Sequence, residues 1–564
     1  MNIYLKDYLH LAENGNSTPA VLEALFACRG QQNATLVLGD GCYHFWPDHA
    51  TVREYWPSNN DGGRKPVAFP LIGFDGLTVD GQGADLVFHG GISPFILDGC
   101  SNVTVRGVSV DYVRPFYSQG KIVRCGEDYT DLTFTEEYPF TVEDGVLIFF
   151  DPESGISSRG LEQMTLLVTE FDAEKRIPAG DPYLMRWHAP KEANFLDFMT
   201  RTVRAELLPD GAVRLHGVTG HTVGNYWVCT HSKRDYPGFF LQNSTDTLLE
   251  DITLYHSASM GVIGQLCENI TLRRVKTGLC GDRLLTVNAD ATHFVHCSGN
   301  LLLEDCSFTH MLDDAGNIHG IYTVIKDFPA PDTMTVQLMH FQQHGVLPYR
   351  PGDEIALVER RTLTRIATAT VKDAALINEQ LIRIQLTQPL PSAAAIGLGV
   401  ENYTCMPNVT IRGCTVGWNR PRGFLISTCK PVLIEDCSFS NMYSAIEMSG
   451  DAGSWFESGC VQNVTVRGCR FSDSAYTAGA AISFVPMLPK GENLLYHSGF
   501  TVENCLFEQD TPRIVYARNT RNLTFKNNRW HKIDSVGGAH EKLGENGFLF
   551  EECANMSVEP LTEV

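Results

Sequence analysis

A six-residue unit that recurs along most of this 564-residue chain restricts its fold more than any other feature. It reads LTVDGQ from Leu77, VTVRGV from Val103, TLLEDI from Thr247, ITLRRV from Ile270 and LLLEDC from Leu301. It returns as VTIRGC from Val409, VLIEDC from Val432, VTVRGC from Val464, FTVENC from Phe500 and LTFKNN from Leu523. Successive starts differ by 26, 144, 23, 31, 108, 23, 32, 36 and 23 residues. Most steps fit one coil of a solenoid, and the two long ones mark insertions. Positions 1 and 3 are mostly apolar, which is the alternation of a half-buried strand. Gly, Asp or Asn at position 5 turns the chain. One unit has too little apolar surface to fold alone, so the units must stack. The expectation is an all-β protein: a right-handed parallel β-helix with two inserted small β-barrel or sandwich domains. A propeller would need four antiparallel strands in each blade of ~40–50 residues. A leucine-rich horseshoe would need helical stretches between units.

Position 6 is Cys306, Cys414, Cys437, Cys469 and Cys505. One thiol per coil, without CxxC spacing, predicts an inward ladder rather than metal or redox chemistry. Asn102, Asn269, Asn300, Asn408, Asn463 and Asn522 precede units. They resemble glycosylation sequons, but they track the repeat, so turn chemistry is the simpler reading.

The spacing divides the chain into a cap over 1–70, first coils over 71–112 and a β-rich insertion over 113–236. Central coils follow over 237–320, a second β-rich insertion over 321–400, and C-terminal coils with a closing segment over 401–564. The cap is expected to carry a short helix near Thr18 to Cys28 and to cover the open strand edge. The net charge of −22 argues against nucleic acid as a partner. No run of 18 apolar residues offers a membrane span. The start, MNIYLKDYLHLAENG, lacks the pattern of a signal peptide. Seventeen scattered cysteines suit reduced thiols, and together these features predict a cytoplasmic protein.

The chemistry concentrates between Asp290 and Gly320, in DATHFVHCSGNLLLEDCSFTHMLDDAGNIHG. Asp313 lies 23 residues after Asp290, the shortest coil step, and Asp314 follows it. On stacked coils, three carboxylates would meet near the ~4.8 Å spacing of neighbouring strands. Consecutive strand residues face opposite ways, so Asp313 and Asp314 share a site only at a bend, which DDAGNIHG can form. Crowded acids cannot all ionise; one can donate a proton while the others activate water, as in inverting glycosidases. Calcium competes for such a cluster. However, His293, His319 and nearby arginines supply cations that do not help a calcium cage, so no metal or cofactor is expected. A second cluster follows the second insertion: Arg420 and Arg422 in NRPRG, then Glu447, Asp451, Trp455 and Glu457. An aromatic platform with charged groups suits a sugar. A salt-bridged surface with one packed Trp is the competing reading.

The runs DATHF, DDAGNIHG, NRPRG and WFESG resemble glycoside hydrolase family 110. So do ALFACRG, LVLGDGCYHFWPDHATVREYWPSNND and PFILDGCSNVTVRGVSVDY, in matching order over most of the chain. The resemblance implies a β-helix carrying β-barrels and an inverting, metal-independent α-galactosidase. Its substrates would be glycans with terminal α-1,3-linked galactose, as in the blood-group B determinant. Barrels packed between protomers would make a homodimer. The Asp and Asp-Asp arrangement also resembles the polygalacturonases of family 28. By that resemblance Asp313 is the general acid, and Asp290 and Asp314 hold and activate water. Asp313 is then the carboxyl group expected to have a raised pKa. His293, His319, Arg420, Arg422, Glu447, Trp455 and Glu457 would bind substrate. One departure is Asn60, which stands in WPSNND where a His is expected. Two other functions compete: a non-catalytic carbohydrate-binding β-helix, and an endo-polygalacturonase. Clustered acids argue against the first, and the negative charge argues against the second.

Overall fold

The computed structural model describes residues 1–158, 167–179, 186–187, 203–230 and 234–564. It is a right-handed parallel β-helix with two antiparallel insertions. Each hexapeptide stacks on the next in register. Thr247, Ile270, Leu301 and Val409 pair in turn, and Val409 continues through Val432, Val464, Phe500 and Leu523. Neither insertion breaks this ladder: Val105 pairs directly with Leu249, and Leu301 with Val409.

Positions 1 and 3 point inward, and Val409, Ile411, Val432, Ile434, Val464 and Val466 are buried. Each such side chain gains about 1.5–3 kcal/mol on leaving water. The position-6 thiols form the expected inward ladder, their polar atoms satisfied by backbone carbonyls. Cys437 Sγ, for example, lies 3.2 Å from the Glu435 carbonyl oxygen and 3.6 Å from that of Ile411. Behind them Phe439, Phe471 and Phe507 stack face to face, with ring centroids 5.2 and 4.6 Å apart. Position 4 faces solvent, and its sign alternates from coil to coil. Asp80, Arg106, Glu250, Arg273, Glu304, Arg412, Glu435, Arg467, Glu503 and Lys526 occupy successive coils in register. Of the asparagines before units, Asn102, Asn269, Asn463 and Asn522 adopt φ between 53° and 58°, as a turn role requires. Asn300 and Asn408 do not adopt positive φ.

The N-terminal end differs from expectation. The helix Thr18–Cys28 forms, and its buried face (Val21, Ala24, Leu25, Cys28) has helical spacing. The first coil, however, begins before residue 70. Thr35–Val37 pairs with Thr78–Asp80, and Gly63–Ile72 runs parallel to Ser93–Asp98. This coil lacks the hexapeptide, which is why the repeat overlooks it. At the other end, Phe548–Glu551, Ala554–Val558 and Thr562–Glu563 extend three ladders to the terminus.

The first insertion contains a six-stranded antiparallel sheet, with DGAVRLHG in a hairpin between Ala205–Leu207 and Val213–His216. Part of it lies outside the described residues. The second insertion closes into a six-stranded antiparallel barrel around Ile325, Met334, Val336, Leu357 and Ile384. Gly316–Ala330 is one continuous strand that starts in a coil and ends in the barrel. The boundary expected at residue 320 falls inside it, so the barrel is an outgrowth of the strand that follows Asp314.

Candidate active site

The second parallel ladder carries a column of outward side chains: His293, Asn317, Leu425, Glu447, Ser483 and Tyr516 pair in register. Strand alternation sends their neighbours Phe294, Ile318, Phe424, Ile446 and Ile482 into the core. The column floors a cavity of about 590 Å³.

The acids sit just ahead of these strands. Ala291 N–H donates to the Asp314 carbonyl at 2.8 Å, and Ala315 N–H to the Gly423 carbonyl at 2.9 Å. Thr292 pairs with Gly316, a step one residue longer than the 23-residue repeat. Asp290 therefore stacks on Asp314, and Arg422 follows one coil on. Asp313 reaches the same space from the bend. Carboxylate oxygens of the three lie within 4.8 Å of one another. Gly423 is needed for this stacking, because a Cβ there would lie 2.1 Å from the Ala445 carbonyl oxygen.

Each acid has its own partner. Arg422 grips Asp314 with two hydrogen bonds of 2.9 and 3.0 Å and reaches Glu447 at 2.9 Å. Arg234 donates to Asp313 Oδ2 at 3.0 Å. Asp290 Oδ2 lies 2.6 Å from His293 Nδ1. Asp290 and Asp314 are buried, whereas the Asp313 side chain is 20% exposed. Burial raises the pKa of Asp290 well above the carboxylate range, and the charge of Asp313 adds to it. Burial likewise raises Asp314 against the pull of Arg422. Strong elevation thus falls on Asp290 and Asp314 and comes mainly from desolvation. Glu457 is the opposite case. Burial pushes it up, but His319, His293 and Arg422 together hold it below its ordinary value.

Four loops wall the cavity. Asn59 donates to Glu457 at 2.8 Å, and its own N–H donates to the Gln342 carbonyl at 2.8 Å. Arg234 binds the Asn59 carbonyl at 3.2 Å, and its N–H donates to Asp61 at 2.9 Å. Asp451 accepts the N–H groups of Gly453, Ser454 and Trp455, which shapes the turn that presents Trp455. Trp455 packs against His340 in a tilted arrangement, with ring centroids 4.5 Å apart.

Comparison with known proteins gives two domain matches: the GLAA-B beta-barrel domain II over residues 333–397, and a right-handed beta helix region over 398–559. The chain is 30% identical to the alpha-1,3-galactosidase B of Bacteroides thetaiotaomicron over 559 residues, covering 96% of this chain and 88% of the relative. It is 32% identical to the alpha-1,3-galactosidase A of Shewanella woodyi, over 91% of this chain and 83% of that protein. The chain belongs to the α-1,3-galactosidase family, glycoside hydrolase family 110. Among solved structures it is similar to the tailspike protein of E. coli bacteriophage HK620, at 9% identity and a TM-score of 0.42 over 97% of this chain and 66% of that one.

In this α-1,3-galactosidase family member, Asp290, Asp313, Asp314, His293, Arg422, Glu447, Trp455 and Glu457 all line the cavity. Arg420 does not: its Nε donates to the Leu312 carbonyl at 3.2 Å, away from the lining. His319 lies behind the wall, with Nδ1 2.7 Å from the Gly320 carbonyl and Nε2 3.0 Å from His293 Nε2. The departure at Asn60 also faces inward. Asn60 is buried under the loop against Ser58, Ser259 and Met260, while its neighbour Asn59 enters the cavity. Sequence reasoning missed Asn59, Arg234 and Asn317. Asn59 at least stands in the WPSNND run; Arg234 lies at the end of an insertion, where no periodicity marks it.

Proposed function

We propose that this chain is an exo-acting, inverting, metal-independent α-galactosidase that releases terminal α-1,3-linked galactose, from blood-group B-type or linear α-galactosyl glycans. The observation that carries the reading is the carboxylate trio in a cavity of sugar size. A binding module needs an aromatic platform but no such trio. In this reading Asp313, the most exposed of the three, donates a proton to the glycosidic oxygen. Arg234 occupies its Oδ2 and leaves Oδ1 for that proton. Asp290 and Asp314 hold the attacking water. Arg234 and Arg422 donate to two of the three acids and His293 Nδ1 contacts the third, which suits work without a metal better than a calcium cage of 6–8 free oxygens. Among the described residues, both arginines lining the cavity are committed to carboxylates, so an acidic polymer finds no free cation among them.

The trio is tighter than the ~6.5–9.5 Å of two-carboxylate inverting sites, and spacing alone favours retention. Inversion is preferred because both Asp314 oxygens are held by Arg422, and Asp290 Oδ2 by His293, so neither acid is placed to bond the anomeric carbon. Product release from α-1,2-, α-1,3-, α-1,4- and α-1,6-galactosides tests the linkage. Early-time NMR reads the anomer: β-galactose first supports inversion, and α-galactose first overturns it. The reading extends to a homodimer, which light scattering checks at micromolar concentration.

A further inference from the structure

Running back from the cavity lining, Asp290, His293, His319 and the Gly320 carbonyl form a continuous line of contacts of 2.6, 3.0 and 2.7 Å. A carbonyl oxygen only accepts, so His319 carries a hydrogen on Nδ1. Between the two Nε2 atoms there is room for one hydrogen, and between His293 Nδ1 and Asp290 Oδ2 for one more. Three arrangements satisfy this line. Asp290 can be a neutral acid beside two neutral rings. It can be a carboxylate beside a doubly protonated His293. It can also be a carboxylate with His293 neutral and the extra hydrogen on His319 Nε2. All three hold the same hydrogens and the same net charge. They differ only by hydrogens shifting within existing contacts.

We propose that His293 and His319 are positioning residues that form a proton relay with Asp290, so that this buried carboxyl group ionises without any ion entering or leaving the site. The proposal rests on the hydrolase reading given above. Glu457 makes the charge-separated arrangement reachable, with Oε1 3.5 Å from His319 Nε2. His296, also near His319, accepts the Ile321 N–H at Nε2 and is neutral when its hydrogen is on Nδ1. Asp290 further faces Asp313, Asp314, Arg234 and Arg422, while His293 faces Arg234 and Asp313. Burial raises Asp290 and lowers His293 to about 3, which places the resting hydrogen on Asp290.

During hydrolysis the relay first moves that hydrogen away from Asp290. Water then loses a proton to Asp290 as its oxygen bonds the anomeric carbon. The glycosidic bond breaks with its electron pair on the leaving oxygen, which takes the Asp313 proton. The site gains at Asp290 what it loses at Asp313, and exchange between the two through water restores the start.

Nitrogen-15 NMR of the imidazoles in the full chain tests the relay without relying on activity. The expected result is a hydrogen on His319 Nδ1 and on His293 Nε2, with the His293 ring not titrating near its ordinary 6.5. A His319 protonated only at Nε2, or a His293 ring titrating near 6.5, overturns the proposal. The kinetic arm uses His319→Phe and His319→Asn. The Asn amide can still donate to the Gly320 carbonyl but cannot carry a relayed proton. Both variants should lower kcat about ten- to hundredfold with KM unchanged, and move the acid limb of kcat up by roughly one pH unit. A wild-type pH profile in His319→Asn overturns the relay. If no galactoside is cleaved, the hydrolase reading fails while the NMR arm still decides the hydrogen arrangement.

Discussion

Two faces of this solenoid carry dense charge, and they use it in opposite ways. On the outer face, Arg273 bridges Glu250 and Glu304, and Arg412 and Arg467 bracket Glu435, with alternating signs on exposed coils. In the cavity, Asp290, Asp313, Asp314, Glu447 and Glu457 crowd around Arg234, Arg422 and His293, with His319 behind them. The ladder balances charge pair by pair in water, where each pair contributes little. Among the described residues the cavity has more acids than arginines, and Asp290 and Asp314 are buried. Burial therefore dominates there: it raises Asp290 and Asp314, whereas hydrogen bonds from Arg467 and Arg412 lower Glu435. The difference teaches that the number of charges does not mark a functional site. An imbalance held out of water does.

The largest expected contrast is in activity. Asp290→Asn should reduce kcat by about 10²–10⁴ on a natural α-1,3-galactoside, the usual share of proton transfer. Glu435→Gln on the ladder should leave kcat/KM unchanged. A comparable loss from both would mean that the outer face supports the site through the fold.

Stability should follow the same division with smaller numbers. Arg422→Met leaves Asp314 buried without its partner and should cost about 3 kcal/mol in chemical denaturation. Arg273→Met, on the ladder, should cost about 1 kcal/mol or less. Equal costs would show that the ladder acts as a cooperative network rather than as separate surface pairs.

The smallest effect is in the pH dependence of Tm, and its sign separates the two faces. Asp290 and Asp314 titrate above their ordinary 3.8 in the folded chain. Their stabilising contribution is complete below that pH and is lost as pH rises through the folded values. Glu435 titrates below its ordinary 4.5, so its contribution is present above 4.5 and is lost as pH falls through the lowered value. Asp290→Asn should therefore flatten the decline of Tm towards alkaline pH, and Glu435→Gln the decline towards acid. Calorimetry across pH checks both slopes, and the reverse assignment would contradict the burial argument.

The ladder was legible before any coordinates because it is periodic. A hexapeptide whose inward positions alternate with outward ones determines which residues stack, since coils register through local backbone pairing. The thiol column and the two places where the repeat is interrupted follow from that alone. The site was legible only where it shares the periodicity. Asp290, Asp314 and Arg422 sit at equivalent points of consecutive coils, and their motifs could be read. The one-residue difference in step that stacks Asp290 on Asp314 rather than Asp313 is set by the pairing of Thr292 with Gly316. That pairing depends on how the bend packs, which spacing does not express. Arg420 and Arg422 are two residues apart with similar chemistry, yet one binds the Leu312 carbonyl and the other Asp314. Asn59 meets Glu457 across 398 residues, and Arg234 meets Asp313 across 79. The sequence by itself determined the stack, because its rule is local and repeated. The tertiary structure alone decided which loops return over the column, because loop closure leaves no pattern in the residues it brings together.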